Sequence, residues 1–324
     1  MRGGSPASEK AASLYFLNPL VIWVSSGWGQ YDSLPAFFSA LALYVIYAKR
    51  KSLTSGIGVL TAVLYKIYPI VLLLPTYFSQ RGESSFLRRN IFLAPFAAAL
   101  AFAVALTRSQ LVQFVQNWFL PATFGNILGF GLTYWSISLF LQPPLADFQA
   151  FEVFSSVVFL ILLGISALLV VRYRKGEQMS YIMLSSLLLI CSYFLSQRYI
   201  AEDFSVLYFL ILAFVVMEGV VSPKLYYLSA LVAFVYTQKN FPYYLLPAAS
   251  LNQKLFIPIF QLTESTREVV AQGGTLVLAP TPISGAVLAI LGTIFSALTS
   301  IVFVRSLQAI RKLGPEEAPS PGSE

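Results

Sequence analysis

Apolar runs of roughly membrane-spanning length recur along this chain with short polar turns between them, and that pattern leaves one broad fold class open. The runs cover 14–28, 33–48, 88–107, 151–171, 179–196, 204–222, 225–238 and 281–304. A crossing helix needs about 20 apolar residues, and fewer when it is fitted among neighbours. Charged residues make up 11% of the chain, against about 25% in a typical soluble domain. The expected fold is therefore all-α: a polytopic transmembrane helical bundle of about eight spans. Met1 to Lys10 is polar and no small-residue cleavage site follows, so no cleavable signal peptide is expected.

The run 54–78 behaves differently. Lys49, Arg50 and Lys51 precede it, and Arg81, Arg88 and Arg89 follow it. Basic loops at both ends predict a re-entrant hairpin of two half-helices that enters and leaves on one side. The hinge falls at Lys66-Ile67-Tyr68-Pro69, where proline disfavours helix at Tyr68. With this hairpin, 15 of the 21 Lys and Arg gather on one side and five on the other, with Lys66 inside the membrane. Positive charge orients membrane proteins towards the cytoplasm, so both termini are expected there, in a plasma or endoplasmic-reticulum-type membrane. The same topology puts Asp32, Asp147 and Asp203 on the outer side, with two long outer loops, 108–150 and 239–280. The whole of 1–313 reads as one transmembrane domain. The Pro-, Gly-, Ser- and Glu-rich tail 314–324 reads as disordered and cytoplasmic.

The chain has no histidine and one cysteine, Cys191, inside an apolar run. Intrachain disulfides and cysteine-based metal sites are excluded, and any chemistry rests on carboxylates, Tyr, Lys and Arg. The net charge of +7 would suggest nucleic acid in a soluble protein. Here the basic residues sit in loops beside apolar runs, so membrane lipids are the expected partners and nucleic acid is not.

Three polar constellations interrupt the apolar pattern. Gly29-Gln30-Tyr31-Asp32-Ser33 lies between two spans; Asp32 could take a proton from a sugar hydroxyl or cap the next helix, and the two roles are compatible. Lys66 with Tyr68 sits in the hinge, where a lysine either meets an anion such as a lipid phosphate or snorkels to the cytoplasmic interface. The loop Gln197-Arg198-Tyr199-Ile200-Ala201-Glu202-Asp203 offers a phosphate-gripping guanidinium and two carboxylates, or simply a polar connection with acidic residues at a helix start. Tyr134-Trp135-Ser136 adds an aromatic platform for sugars or lipids, or an interfacial anchor.

Taken together, several segments resemble the GT-C glycosyltransferases, nearest to the GPI mannosyltransferase-like enzymes that use dolichol-phosphate mannose. The resemblance is carried by Asn18-Pro19, Gly29 to Ser33, Ser55-Gly56 with Gly58, Lys66 to Pro69, Leu74-Pro75, Tyr134 to Ser136, and Ser196 to Tyr199 with Glu202. It spans about residues 15 to 215. It implies a GT-C-like fold and transfer of mannose or another hexose from a polyprenyl-phosphate sugar, with no bound cofactor; a divalent cation is left open. Asp32 is the candidate catalytic residue on its own chemistry, and the resemblance itself does not assign it the role of catalytic base. Gln30, Tyr31, Lys66, Tyr68, Tyr134, Trp135, Gln197, Arg198, Tyr199, Glu202 and Asp203 would bind substrate. The family also carries an acidic residue on a large first outer loop, whereas no acidic residue stands between Lys10 and Asp32 here. A second subunit supplying that loop is one expectation. A non-catalytic partner or lipid-handling protein and a transporter are the alternative readings.

Overall fold

The structure, a computed structural model, describes residues 6–27, 33–49, 51–66, 68–80, 85–107, 132–134, 136, 145–173, 179–196, 204–240, 267–272, 275–280 and 282–313. Helices α1 (Pro6–Phe16) and α2 (Pro19–Ile22) open the chain. The first apolar run, expected as a single span over 14–28, is broken between them. Pro19 sits at the first turn of α2, and the Asn18 side chain caps it by accepting from the Leu20 N–H at 2.9 Å. Asn18 is fully buried, and its Nδ2 donates to the Tyr226 hydroxyl at 3.0 Å. That hydroxyl donates in turn to the Leu14 carbonyl at 3.0 Å, so one tyrosine from late in the chain ties both sides of the break. A wide helical turn over Trp23–Gly27 extends α2.

Helix α3 (Ser33–Tyr44) runs on through another wide turn, Val45–Lys49, and α4 (Ser52–Tyr65) packs back along it. Small residues set the distance between them. Ser55 Oγ donates to the Ala42 carbonyl at 2.9 Å, and the Phe38 and Tyr65 rings stack at 5.8 Å. The opposite side of α4 meets α6 (Ser85–Thr107) at Gly56, where an added Cβ would strike the Phe92 carbonyl.

Helix α4 ends at Lys66, whose backbone is extended. A tight helical turn, Tyr68–Leu72, and α5 (Leu73–Ser79) then carry the chain back. The return is measurable: Ser52 Oγ, at the start of α4, lies 2.7 Å from Gln80 Oε1, just beyond α5. Fourteen helical residues give the outward arm a length of about 20 Å.

Helices α7 (Leu145–Arg172), α8 (Met179–Ser196), α9 (Ser205–Met217), α10 (Pro223–Asn240) and α11 (Pro282–Lys312) complete the bundle. Helix α8 is apolar all round and buried from Tyr181 to Ser192, as expected of a helix enclosed on every side. It touches α5, α7, α9 and α11. Outer helices carry the reverse pattern, with Phe86, Leu100 and Phe102 on α6 and Leu160 and Leu168 on α7 exposed. Among the described residues, Phe86–Val104, Met179–Ser196 and Gly285–Lys312 are long and apolar enough to cross a membrane, and five shorter apolar helices accompany them. These are the helices of a membrane protein. One departure from an all-helical chain lies in the expected second outer loop. Strands β1 (Arg267–Gln272) and β2 (Thr275–Pro280) pair antiparallel there, with Gln272 opposite Thr275. The tail 314–324 lies outside the described residues.

Because a Cβ at Gly56 would meet backbone rather than a yielding side chain, Gly56→Ala should push α6 from α4. Overpacking of this kind costs about 1–3 kcal/mol. Thermal unfolding of the purified chain in detergent should show the loss, while Gly164→Ala, facing open space, should not.

Candidate functional site

The two ends of the bundle differ in character. At one end, Ser52 meets Gln80, and Arg88 and Ile182 line the same small pocket as Ser79. Tyr181 bonds the Val170 carbonyl and Ser180 bonds Glu218, which brings in the end of α7, the start of α8 and the end of α9. Helix α11 meets α8 at its other end, Phe295 against Phe194, and remains buried at Val302, Ser306 and Ile310 as it runs back. Lys49, Lys51, Arg88, Arg89, Arg172, Lys224, Arg311 and Lys312 therefore share one end of the molecule.

The opposite end holds the described members of the candidate site. Lys66 and Tyr68 arrive there because α4 has carried the chain about 20 Å from the basic end. Tyr68 is buried and packs on the Phe204 ring, centroids 4.9 Å apart. Lys66 Nζ lies 5.3 Å from the centroid of that same ring. A cation over an aromatic face gains about 0.5–2 kcal/mol, more as water is removed. The lysine thus faces away from the basic end, and a reading in which it snorkels to that interface does not fit its position. Phe204 directly follows Asp203, the last residue of the polar loop. The hinge thus packs on the residue that immediately follows the polar loop in sequence.

Tyr134, from the aromatic segment, is anchored on α11 at the same end. The Tyr134 N–H donates to Ser296 Oγ at 2.9 Å, and Gly292 allows the Thr133 carbonyl to approach α11 so closely that an added Cβ would lie 2.5 Å from it. Next to Ser296, Phe295 packs against Phe194 and Tyr208, at 6.1 and 6.0 Å. Those two residues flank the 197–203 loop in sequence. Burial pushes the Tyr134 phenol up to about 12, so it remains a neutral hydrogen-bonding group through the physiological range.

Gln30, Tyr31, Asp32, Trp135, Gln197, Arg198, Tyr199, Glu202 and Asp203 lie outside the described residues. Their chain neighbours do not: Ser33 opens α3, which packs against α9 and the Tyr68–Leu72 turn, and Ser196 and Phe204 bracket the loop. Sequence reasoning missed Phe204, Phe295 and Ser296. A signal existed in Gly292 and Ser296, one small residue above another at helical spacing, which marks a face open to close approach. Among the described residues no group of three or more carboxylates, histidines or cysteines stands ready to hold a metal ion.

No protein-family model, curated protein or solved structure matches the chain.

The shared ring makes Lys66 and Phe204 energetically dependent on each other. In a double-mutant cycle of Lys66→Met and Phe204→Leu, the coupling should be about 0.5–2 kcal/mol, read from unfolding in detergent. Additive effects would show that the contact contributes nothing. A pH test addresses Tyr134: its raised pKa favours the folded state below pH 10, and that contribution fades between about pH 10 and 12. The Tyr134→Phe chain should accordingly lose less stability than the wild type when melts at pH 9 and pH 11 are compared.

Proposed function

We propose that this chain is a GT-C-like membrane glycosyltransferase that moves mannose or another hexose from a polyprenyl-phosphate carrier to a lipid or glycan acceptor. The observation that carries the reading is the meeting of the Lys66–Tyr68 break with Phe204, immediately beside the Gln197–Asp203 loop. Glycosyl transfer from such a donor has three needs. A carboxylate must receive the proton of the attacking hydroxyl, a cation must hold the departing phosphate, and a platform must orient the sugar ring. Asp32 is assigned the first role and Arg198 the second, with Lys66 adding positive charge at the same end. Gln30, Tyr31, Tyr134, Trp135, Gln197, Tyr199, Glu202 and Asp203 are assigned to the sugar and its hydroxyls. Tyr68 holds the hinge against Phe204 so that Lys66 stays in place.

The topology that goes with this reading has about eight spans and a re-entrant hairpin at 54–78, its mouth on the cytoplasmic side. The candidate site then opens on the outer face. The return of the chain from Ser52 to Gln80 supports that arrangement, as does the collection of lysines and arginines at the hairpin's mouth. Polar and ionisable groups within a bilayer are costly unless they serve a site, and Lys66 at the hairpin tip fits that rule.

The test is sugar transfer in proteoliposomes holding the full chain, with radiolabelled polyprenyl-phosphate mannose as donor and extracted native lipids as acceptors. Asp32→Ala should lower the rate by about 10²-fold or more, the usual scale of a general base. Arg198→Ala should act mainly on the apparent affinity for the donor. Neither binding nor transfer by a folded wild-type chain would remove glycosyl transfer as the function.

A further inference from the structure

One turn into α9 from Phe204, three helices bring buried hydroxyls together. Tyr208 of α9, Ser229 of α10 and Thr299 of α11 are all fully buried. Ring contacts fix the convergence. Tyr208 packs on Phe295, one turn before Thr299, with centroids 6.0 Å apart. Its neighbour Phe209 packs on Tyr226, one turn before Ser229, at 5.5 Å. The hydroxyls of Ser229 and Thr299 adjoin that of Tyr208, yet none of the three oxygens closes a hydrogen bond of full geometry. Elsewhere in the bundle small hydroxyls turn back on their own helices: Ser196, Thr237, Thr293 and Ser300 each donate to the carbonyl four residues earlier. Ser229 and Thr299 do not.

A hydroxyl buried in apolar surroundings without a partner is costly, and a buried water characteristically makes about three hydrogen bonds to groups of this kind. Three hydroxyls from three helices match that number. Their surroundings favour a neutral ligand over an ion. The titratable groups that act on Tyr208 are a thiol and a phenol, Cys191 and Tyr226, and among the described residues no carboxylate, lysine or arginine does so. The Tyr226 hydroxyl is already committed to Asn18 and Leu14. We propose that Tyr208, Ser229 and Thr299 hold one ordered water molecule, which bridges α9, α10 and α11 inside the bundle. The three hydroxyls can each donate to it or accept from it. The bridge holds the start of α9, and with it Phe204, against the two later helices. This inference does not depend on glycosyl transfer.

The deciding experiment is a structure of the full wild-type chain in a lipid nanodisc, at a resolution that shows ordered water. A density peak should lie about 2.5–3.2 Å from the Tyr208 oxygen and from at least one of the Ser229 and Thr299 oxygens. The lack of such a peak overturns the site, whether the hydroxyls then bond one another directly or turn back on their own helices. Thermal unfolding of the full chain in detergent gives a second readout. Tyr208→Phe and Thr299→Val should each lower the midpoint by about 2–4 °C. The double variant should lose clearly less than the sum, because the second change acts on a water already loosened by the first. Thr237→Val, which removes a hydroxyl bonded to its own helix, should add in full to Tyr208→Phe. Unchanged midpoints in both single variants, or additive losses in the Tyr208–Thr299 pair, would overturn the shared bridge. Should a variant fail to fold, the wild-type density decides alone.

Discussion

The buried hydrogen bond between Ser52 and Gln80 is the constraint from which the layout of the bundle follows. Gln80 is 2% exposed, and each of its polar groups is engaged. Its Oε1 accepts from Ser52, its Nε2 points at the Thr76 carbonyl, its N–H donates to the Tyr77 carbonyl, and its own carbonyl accepts from Arg89. A buried polar group left without a partner costs about 1–3 kcal/mol. The chain therefore cannot let 52 and 80 drift apart without stranding several such groups at once. With those residues fixed together, a 14-residue helix must place Lys66 at the far end of the bundle. The broken return through Tyr68 and Pro69 must then find cover there, and it finds it on Phe204.

That geometry explains why one phenylalanine matters more than its composition suggests. An apolar bundle has no shortage of rings, but Phe204 directly follows a polar loop in sequence and stands at the N-cap of α9. Tyr68 packs on it and Lys66 lies over it, so the ring sets where the hinge stands relative to the start of α9. Aromatic packing thus contributes to where this charged residue stands.

Much of the helical framework was legible in the sequence because hydropathy alone dictates it. The runs at 33–48, 88–107 and 179–196 correspond closely to α3 with its extension, α6 and α8. The hinge at Lys66 was legible as well, from proline and from basic residues on both sides. The break at Asn18 was not, although Asn-Pro is a helix-start signal, because the apolar run continued across it and a length criterion overrode a capping criterion. The β-hairpin was overlooked for a similar reason. Gly273-Gly274 between Val269-Val270 and Leu276-Val277-Leu278 is a hairpin pattern, masked by its place inside a stretch read as one loop. What the sequence could not reveal is convergence. Nothing in the spacing of Lys66, Tyr134 and Phe204 announces that Phe194, Phe295 and Tyr208 gather beneath the same end. That depends on how far each helix travels and which face it turns.

The interior supplies a reason for the site to lie at an end at all. In a bilayer, apolar side chains gain little by leaving lipid for one another, so cohesion comes from close approach and from short hydrogen bonds. This bundle follows that logic. Ser192 bonds Ser166 at 2.7 Å across α7 and α8, while Ser196, Thr237, Thr293 and Ser300 return their hydroxyls to carbonyls four residues earlier. Gly56, Gly58 and Gly292 admit neighbouring backbones or methyl groups where a side chain would collide. Such a core has room for hydroxyls and methyl groups, and no room for solvated charge. Charged and strongly polar groups are consequently displaced to where helices start, stop or break. The two breaks at Asn18 and Lys66 show the alternatives. At Asn18 the freed polar groups are consumed by Tyr226 and the break is sealed into the core. At Lys66 the break carries a charge, is held only partly buried, and packs on Phe204 at the start of α9. The same chemical event, a helix interrupted by a proline-containing dipeptide or turn, thus yields a structural joint in one place and a candidate binding surface in the other.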